Sequence, residues 1–417
     1  MKLPTIRECE ALFSKYHVPE NFFLHCKKVA QVGIFLAVEL KKKGIDVSID
    51  LVERACLLHD LFKFVTLVEL KAQPEFKATA PTKQQITSWK KLKEQFPGKF
   101  EGEIFYETFK DVWPELAKLL YGSSNPHRVI ELGNKRTWDE RIQHYADCRV
   151  LGDEVIMLED RFKDAEKRYP DLYKQLGEKH KEEKKQIRKD EQEIFEIIEV
   201  SPDVLLKFNK DSTTVTIETY DSYVEQYYQG TKHYNDHHIY LTDSDIKKRD
   251  IVLDVTCAYG RDAALLTERG AKVTGVDLSS KMIAKAKTLY PHIPFFVMDM
   301  RKLNFPENSF DHIICNAALL HLEKKDIPSV LSSFYIILKP GGKLWIGVKK
   351  GDGENYELRT GTLKYVSKFN NKEIRRLVEQ AKFHVLKQYD CIENRKGEKI
   401  VWIDILAQKP LKKEAGK

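Results

Sequence analysis

The stretch Ile251–Asp277, IVLDVTCAYGRDAALLTERGAKVTGVD, limits what this chain can fold into more than any other. It reads as an apolar strand, a tight turn of small residues, an amphipathic helix, and a second apolar strand ending in an acid. A doubly wound α/β sheet builds a nucleotide-type cofactor site from that order of elements. Asp254 and Gly260 stand in the first turn, where backbone approaches a ligand, with the small residues Thr256 and Ala258 between them. The N–H groups that open the following helix favour negative charge there. Asp277 ends the second strand, where a carboxylate can accept hydrogen bonds from ribose hydroxyls. These residues set the expectation of a cofactor that carries a ribose.

The rest of the C-terminal half continues the alternation. Apolar strand candidates lie at 251–255, 272–276, 294–298, 311–315, 343–348, 383–389 and 400–407, with helical segments in most gaps. That pattern predicts a mostly parallel sheet covered by helices on both faces. The short polar turn 393–397 predicts that the last two strands are antiparallel neighbours. Leu278 follows Asp277 directly, and Asp299-Met300 follows the third strand. There an acid can bond the exocyclic amine of a base and an apolar neighbour can cover its ring. Asn316 follows the fourth strand at the mouth of the sheet, and Leu338–Gly342 reads as a turn before the fifth.

At 417 residues the chain exceeds one typical core, so two domains are expected. Residues 1 to about 170 read as helices. One opens at Pro19-Glu20, carries His25 and stops at Gly44; the next is capped by Ser48 and ends at His59-Asp60. Thr137 with Glu140 three residues on forms a capping box that opens a helix carrying Asp147. From Asp171 to Glu199 Lys and Glu dominate, which reads as a solvated helical face; RNA binding is the minority reading, because the signs are mixed. The boundary is placed between about 205 and 215, after Ser201-Pro202.

His25, His59, Asp60 and Asp147 are distant in sequence, each on an expected helix. Imidazole and carboxylate together suit a divalent ion such as Mn²⁺, Mg²⁺ or Fe²⁺. Lys63 stands one turn after His59, where it can meet a phosphate oxygen. A metal held there would acidify a water for attack on phosphorus.

Two resemblances follow. The series Asp254, Gly260, Asp277, Asp299, Asn316 and Lys339–Gly342 resembles the class I S-adenosylmethionine-dependent methyltransferases over about 213–410. The resemblance implies a Rossmann-like, seven-stranded domain with Asp254, Thr256, Ala258 and Gly260 near the methionine part, Asp277 and Leu278 at the ribose, Asp299 and Met300 at the adenine, and Asn316 at the site's mouth. Thr219–Tyr223 and Tyr227 resemble the segment that family members place over the cofactor. The loop departs from the family's D-x-G-x-G-x-G, with Thr256 and Ala258 in place of two glycines. The set His25, His59-Asp60, Asp147, in the contexts HDLFK and HYADCRV, resembles the HD-domain phosphohydrolases over about 20–205. It implies an all-α domain, spanning 1–205, whose metal ligands are those four residues, with Asp60 and Lys63 in the catalytic set and a nucleotide or other phosphorylated compound as substrate. His127 is the one candidate for a second metal.

The expectation is a bifunctional enzyme with a small-molecule methyl acceptor. Two alternatives stand beside it: a nucleotide-binding regulatory module in the N-terminal half, and an RNA-binding scaffold in the C-terminal half. A nicotinamide-binding domain would want G-x-G-x-x-G, which is absent. His321, in Ala317–Leu322, reads either as a base near the acceptor or as structural, and Cys257 and Cys315 read as small buried residues. The residues His17, His180, His233, His237 and His238 are expected at the surface. Seven cysteines without a CxxC pair and a charged N-terminal segment point to a cytoplasmic protein, and His25, Lys27 and Lys28 break the apolar run Phe22 to Leu40, so no membrane span is expected; the formal charge of +7 permits an acidic partner without requiring one.

Overall fold

The computed structural model describes the chain except residues 67–79, 124–125, 169, 234–244, 360, 396–397 and 412–417. It divides into two compact units, Met1–Lys210 and Asp211–Lys417. Among the described residues no helix is long and apolar enough to cross a membrane.

The first unit is helical. Its main helices are α1 (Ile6–Lys15), α2 (Glu20–Lys42), α3 (Ile49–Leu58), α4 (Lys83–Gln95), α5 (Glu101–Phe109), α6 (Pro114–Ser123), α7 (Trp138–Cys148), α8 (Leu158–Arg168) and α9 (Glu178–Ile198). The expected caps are present. The Ser48 hydroxyl accepts from Leu51 N–H, and Thr137 and Glu140 form a reciprocal capping box at the start of α7. Apolar residues of α2, α3 and α7 pack the centre: Val29, Phe35, Val52, Leu58, Ile142 and Tyr145 are all buried. Val150–Leu151 and Glu154–Val155 form a two-residue antiparallel pair just after α7.

The Lys/Glu-rich helix α9 departs from the solvated face expected of it. Asp190 is fully buried, bonded by Arg136 at 2.5 Å and by Arg141 at 2.8 Å. Glu191 receives Tyr145 Oη at 2.5 Å and the buried Arg149 at 3.1 Å. His180, expected at the surface, is buried and bonded to Glu166 at 3.1 Å. A composition of mixed charge hides the pairs of Asp190 and Glu191, because their partners lie more than 40 residues away in the sequence.

The second unit opens with α10 (Ser212–Ser222) and α11 (Val224–Thr231). Then come β1 (Ile251–Val255), α12 (Arg261–Glu268), β2 (Lys272–Asp277), α13 (Ser280–Leu289), β3 (Phe295–Val297), β4 (Phe310–Asn316), α14 (Ile327–Ile337) and β5 (Leu338–Lys349). A hairpin, β6 (Glu354–Arg359) and β7 (Thr362–Ser367), precedes α15 (Asn371–Gln380), β8 (His384–Arg395) and β9 (Glu398–Gln408). The seven-stranded sheet has the order β8-β9-β5-β4-β1-β2-β3. The pairs β1–β2, β1–β4, β2–β3 and β4–β5 are parallel, while β9 runs antiparallel to both β5 and β8.

All seven expected strands are therefore present. The turn expected at Lys339–Gly342 lies inside β5. Lys396 and Gly397 of the expected 393–397 turn fall outside the described residues, as do His237 and His238; His233 is exposed. The β6–β7 hairpin was not expected. It forms its own two-stranded sheet, and β7 is buried on both faces, from Leu363 through Ser367.

Candidate functional site

A cavity of about 290 Å³ opens at the carboxyl ends of the parallel strands in the second unit. That is where open α/β sheets place ligands, because strand order reverses there and leaves a crevice. Of the residues singled out in sequence, Thr256, Ala258, Asp277, Leu278, Asp299, Met300, Asn316 and His321 line it. Asp254 and Gly260 do not; they shape the loop from behind.

The loop after β1 has a backbone that suits glycine. Thr256 has φ 59° and Ala258 φ 49°, both in the left-handed region. Sequence comparison with the glycine-rich pattern flagged these two positions, and the conformation glycine would adopt persists without it. Gly260 has φ 84°, and a Cβ there would meet the Phe295 ring at 2.6 Å, so this position admits only glycine. The Asp277 carboxylate ties the loop to β2: Oδ2 accepts from Ala258 N–H at 3.0 Å, and Oδ1 accepts from Ser279 N–H at 2.8 Å. Burial nevertheless pushes its pKa up to about 6, against the lowering effect of those N–H groups. Burial also pushes Asp254 well above the carboxylate range, with Asp262 and Asp277 adding repulsion, and its Oδ2 is buried without a hydrogen-bond partner.

Asp299 is held by Arg301, whose Nη2 lies 2.8 Å away. Burial opposes its ionisation, but the guanidinium and the Arg301 N–H outweigh it and lower the pKa. Asp311, at the start of β4, is occupied by Lys339 at 2.8 Å and by Ile251 N–H, and it takes no part in the cavity.

His321 lies on a 3-10 turn, Leu319–His321. Its Nδ1–H donates to the Tyr365 carbonyl at 3.0 Å, which leaves Nε2 to accept from the Tyr220 hydroxyl at 3.0 Å. Burial lowers its pKa to about 4, so the ring is neutral at neutral pH. The same burial raises Tyr220 well above its ordinary value. Tyr220 comes from α10 and Tyr227 from α11, and both line the cavity. Helix α10 is pinned to the hairpin: Thr219 Oγ1 donates to Leu363 O at 2.6 Å, and Tyr365 N–H donates to Thr216 Oγ1 at 3.2 Å. Sequence reasoning missed Lys349, Arg359, Lys364, Trp402 and Asp404, which complete the wall. They lie on β5, the hairpin and β9, and only pairing across strands brings them together. Cys257 and Cys315 are buried, and burial raises both thiols out of the reactive range.

The first unit brings its four singled-out residues together. One ligand atom each from His25, His59 and Asp60 lies within 4.8 Å of the others. Asp147 Oδ1 sits 3.1 Å from His25 Nε2 and 3.4 Å from His59 Nε2. Each ring is oriented from behind: His25 Nδ1–H donates to Gly152 O at 2.8 Å, and His59 Nδ1–H donates to Cys56 O at 2.8 Å. The Nε2 atoms of both rings therefore face carboxylate oxygens, a contact that needs a cation between the partners, either a proton or a metal ion. His59 Nε2 is buried with no hydrogen-bond partner. Histidines fixed by a backbone carbonyl on one nitrogen and offering the other to a shared centre are typical of metal ligands, so these residues fit a divalent ion. Burial opposes charge on His59, yet Cys26, Asp60 and Asp147 outweigh it and raise its pKa well above the usual value. Lys63 Nζ, singled out as a phosphate contact, is bonded to Glu101 Oε1 at 2.6 Å. The side chain of His127 lies outside the described residues.

Residues 252–342 match the family described as "Methyltransferase domain". The second unit thus contains a class I, S-adenosylmethionine-dependent methyltransferase domain. The chain is 31% identical over 187 residues to a sterol 24-C-methyltransferase of Saccharomyces cerevisiae, covering 40% of this chain and 47% of that one. It is 37% identical over 107 residues to phosphoethanolamine N-methyltransferase 3 of Arabidopsis thaliana, covering 24% and 21%. The chain spans less than half the length of either relative. Among solved structures, it is similar to the 1,6-didemethyltoxoflavin-N1-methyltransferase of Burkholderia thailandensis, at 22% identity and TM-score 0.37, covering 46% of this chain and 88% of that one.

Proposed function

We propose that the C-terminal unit transfers a methyl group from S-adenosylmethionine to a small-molecule acceptor. The observation that carries this reading is the buried Asp277 carboxylate, which braces the β1 loop while lining a cavity of about 290 Å³. The cofactor, when bound, supplies a methyl group already activated on a sulfonium, so positioning can provide most of the rate. In this reading Asp277 and Leu278 hold the ribose, Asp299 and Met300 the adenine, and Thr256 and Ala258 lie along the methionine part. Asp254 and Gly260 support that loop, and Asn316 borders the acceptor. A proton leaving the acceptor passes to the Tyr220 oxygen as the Tyr220 proton passes to His321 Nε2. The names of the relatives, a sterol and a phosphoethanolamine methyltransferase, agree with a small acceptor. Calorimetry with S-adenosylmethionine tests the reading. Binding that Asp277→Ala weakens is expected; undetectable binding, or binding indifferent to that change, would remove it.

For the N-terminal unit, we propose metal-dependent hydrolysis of a phosphate ester or anhydride, with a nucleotide as the leading substrate. His25, His59, Asp60 and Asp147 would hold Mn²⁺, Mg²⁺ or Fe²⁺. Such an ion supplies an acidified water at phosphorus. Lys63, steadied by Glu101, contributes positive charge for a phosphate oxygen. The convergence of two imidazole nitrogens on the carboxylates of Asp60 and Asp147 supports this reading over that of a regulatory nucleotide pocket, which needs no such convergence. Phosphate release from a nucleotide panel with Mn²⁺, lost in Asp60→Ala, is the expected result; a panel without any release would sink the hydrolase. Seven cysteines, none of them in a disulfide, accord with the proposed cytoplasmic location.

A further inference from the structure

The hydrogen bonds behind His321 fix where its proton sits. The Tyr365 carbonyl, which can only accept, takes the His321 Nδ1–H at 3.0 Å. Burial keeps the ring neutral at neutral pH, so Nε2 carries no hydrogen. The Tyr220 hydroxyl, 3.0 Å from Nε2, must therefore donate to it. The carbonyl is itself held in place. Tyr365 N–H donates to Thr216 Oγ1 at 3.2 Å, and the Thr216 hydroxyl donates to Ser212 O at 3.0 Å. Thr216 and Tyr220 stand one turn apart on α10, so one helix face carries both the hydroxyl and the anchor of the carbonyl.

The direction of this chain decides what Tyr220 offers the cavity. Its proton is committed to His321, and a phenolic oxygen keeps lone pairs that accept. The buried Tyr223 hydroxyl, on a ring stacked against Tyr220 with centroids 5.6 Å apart, has no partner of its own. Even turned towards Tyr220, it would fill one lone pair and leave the other. Tyr220 and His321 both line the cavity, and Leu320, Trp345, Val366 and Trp402 belong to the same lining. Tyr220 thus presents an acceptor, and no donor, to whatever lies against it.

We propose that the methyl acceptor carries a hydrogen on the atom that is methylated, as a hydroxyl or an N–H amine, and points it at the Tyr220 oxygen. This rests on the methyltransferase reading and names the chemical class of its acceptor. A carboxylate, a thiolate or a tertiary amine has no such hydrogen to donate. In the step, a lone pair of the acceptor atom forms the bond to the methyl carbon as the carbon–sulfur bond breaks, and that bond's electron pair stays on sulfur. The acceptor's hydrogen passes to Tyr220 Oη as the Tyr220 proton passes to His321 Nε2. The positive charge that leaves sulfur therefore ends on the imidazolium. A ring with a pKa of about 4 then gives its proton up to water at neutral pH.

The first test reads the proton itself, by nitrogen NMR of the full chain carrying isotope-labelled histidine and saturated with S-adenosylhomocysteine. His321→Gln assigns the signal. His321 is expected to be protonated at Nδ1 and bare at Nε2 at neutral pH. A ring protonated at Nε2 overturns the proposal, because Tyr220 would then accept from it and turn its own hydrogen to the cavity. The second test titrates the same complex with phenol, aniline and toluene, three molecules of nearly one shape that carry an O–H, an N–H and neither. Tyr220→Phe should weaken phenol or aniline by about tenfold, the effect of one hydrogen bond, and leave toluene unchanged. The probe that responds says which donor the acceptor carries. Equal effects on all three, or binding of neither protic probe, overturn the proposal. The NMR readout needs no Tyr220 variant, so a variant that fails to fold does not shield the proposal. If S-adenosylhomocysteine fails to bind the unmodified chain, the methyltransferase reading falls and this inference with it; if it binds and either test fails, this inference falls alone.

Discussion

At the scale of single residues, Asp277 carries the sharpest consequence. Its pKa of about 6 is raised by burial above that of an exposed carboxylate. For a raised acid, the stability contribution is fully present below the unfolded pKa, near 4, and is lost as pH rises through about 6. The ionised form is thus the less stable one for the empty protein and, in the proposed function, the one that binds, because it would accept ribose hydroxyls. S-adenosylhomocysteine affinity should therefore be flat above pH 7 and fall by about tenfold per unit below 6. Calorimetry across pH 5–8 checks this, and Asp277→Ala should flatten the profile. Ala258 makes a second case. A left-handed L-residue costs about 1–2 kcal/mol, and glycine returns part of that through the entropy of the unfolded chain. Ala258→Gly should raise stability by about 0.5–1 kcal/mol in urea unfolding; a loss would show that the loop's φ of 49° carries no strain.

At the scale of elements, α9 illustrates how composition misleads. Its Lys and Glu residues suggest a face turned to water, and most of them are exposed. Asp190 is the exception, fully buried between Arg136 and Arg141. Asp190→Ala would leave two buried guanidinium groups without their shared partner. A loss of about 3–5 kcal/mol is expected, seen as a large drop in the thermal midpoint of the N-terminal unit. A shift within the range of a surface pair, below about 1 kcal/mol, would refute the account. The β6–β7 hairpin shows the converse. Its strands were invisible in the alternating pattern because they follow β5 closely and are short, but they bring Arg359 and Lys364 to the cavity.

At the scale of the whole molecule, the proposed functions assign separate chemistry to the two units, and metal removal tests that division. Chelation is expected to abolish phosphate release, as Asp60→Ala does, and to leave S-adenosylmethionine affinity unchanged. A parallel loss of both would argue against a metal confined to the first unit. The separation also explains what was legible beforehand. The seven strands, their helices and the caps at Ser48 and Thr137 were readable because each rests on local periodicity or on a contact three residues along the chain. The amino-acid sequence by itself thus determined the class of each unit and the positions worth watching, from His25 to Asn316. Only the tertiary structure decided what those positions meet. It set Asp254 and Gly260 behind the cavity wall, bonded Lys63 to Glu101, joined His321 to Tyr220, and gathered Lys349, Arg359 and Lys364 around one space. The reason is physical: strand order and cross-strand register set these distances, and both come from burying the whole sheet at once and not from any local run of residues.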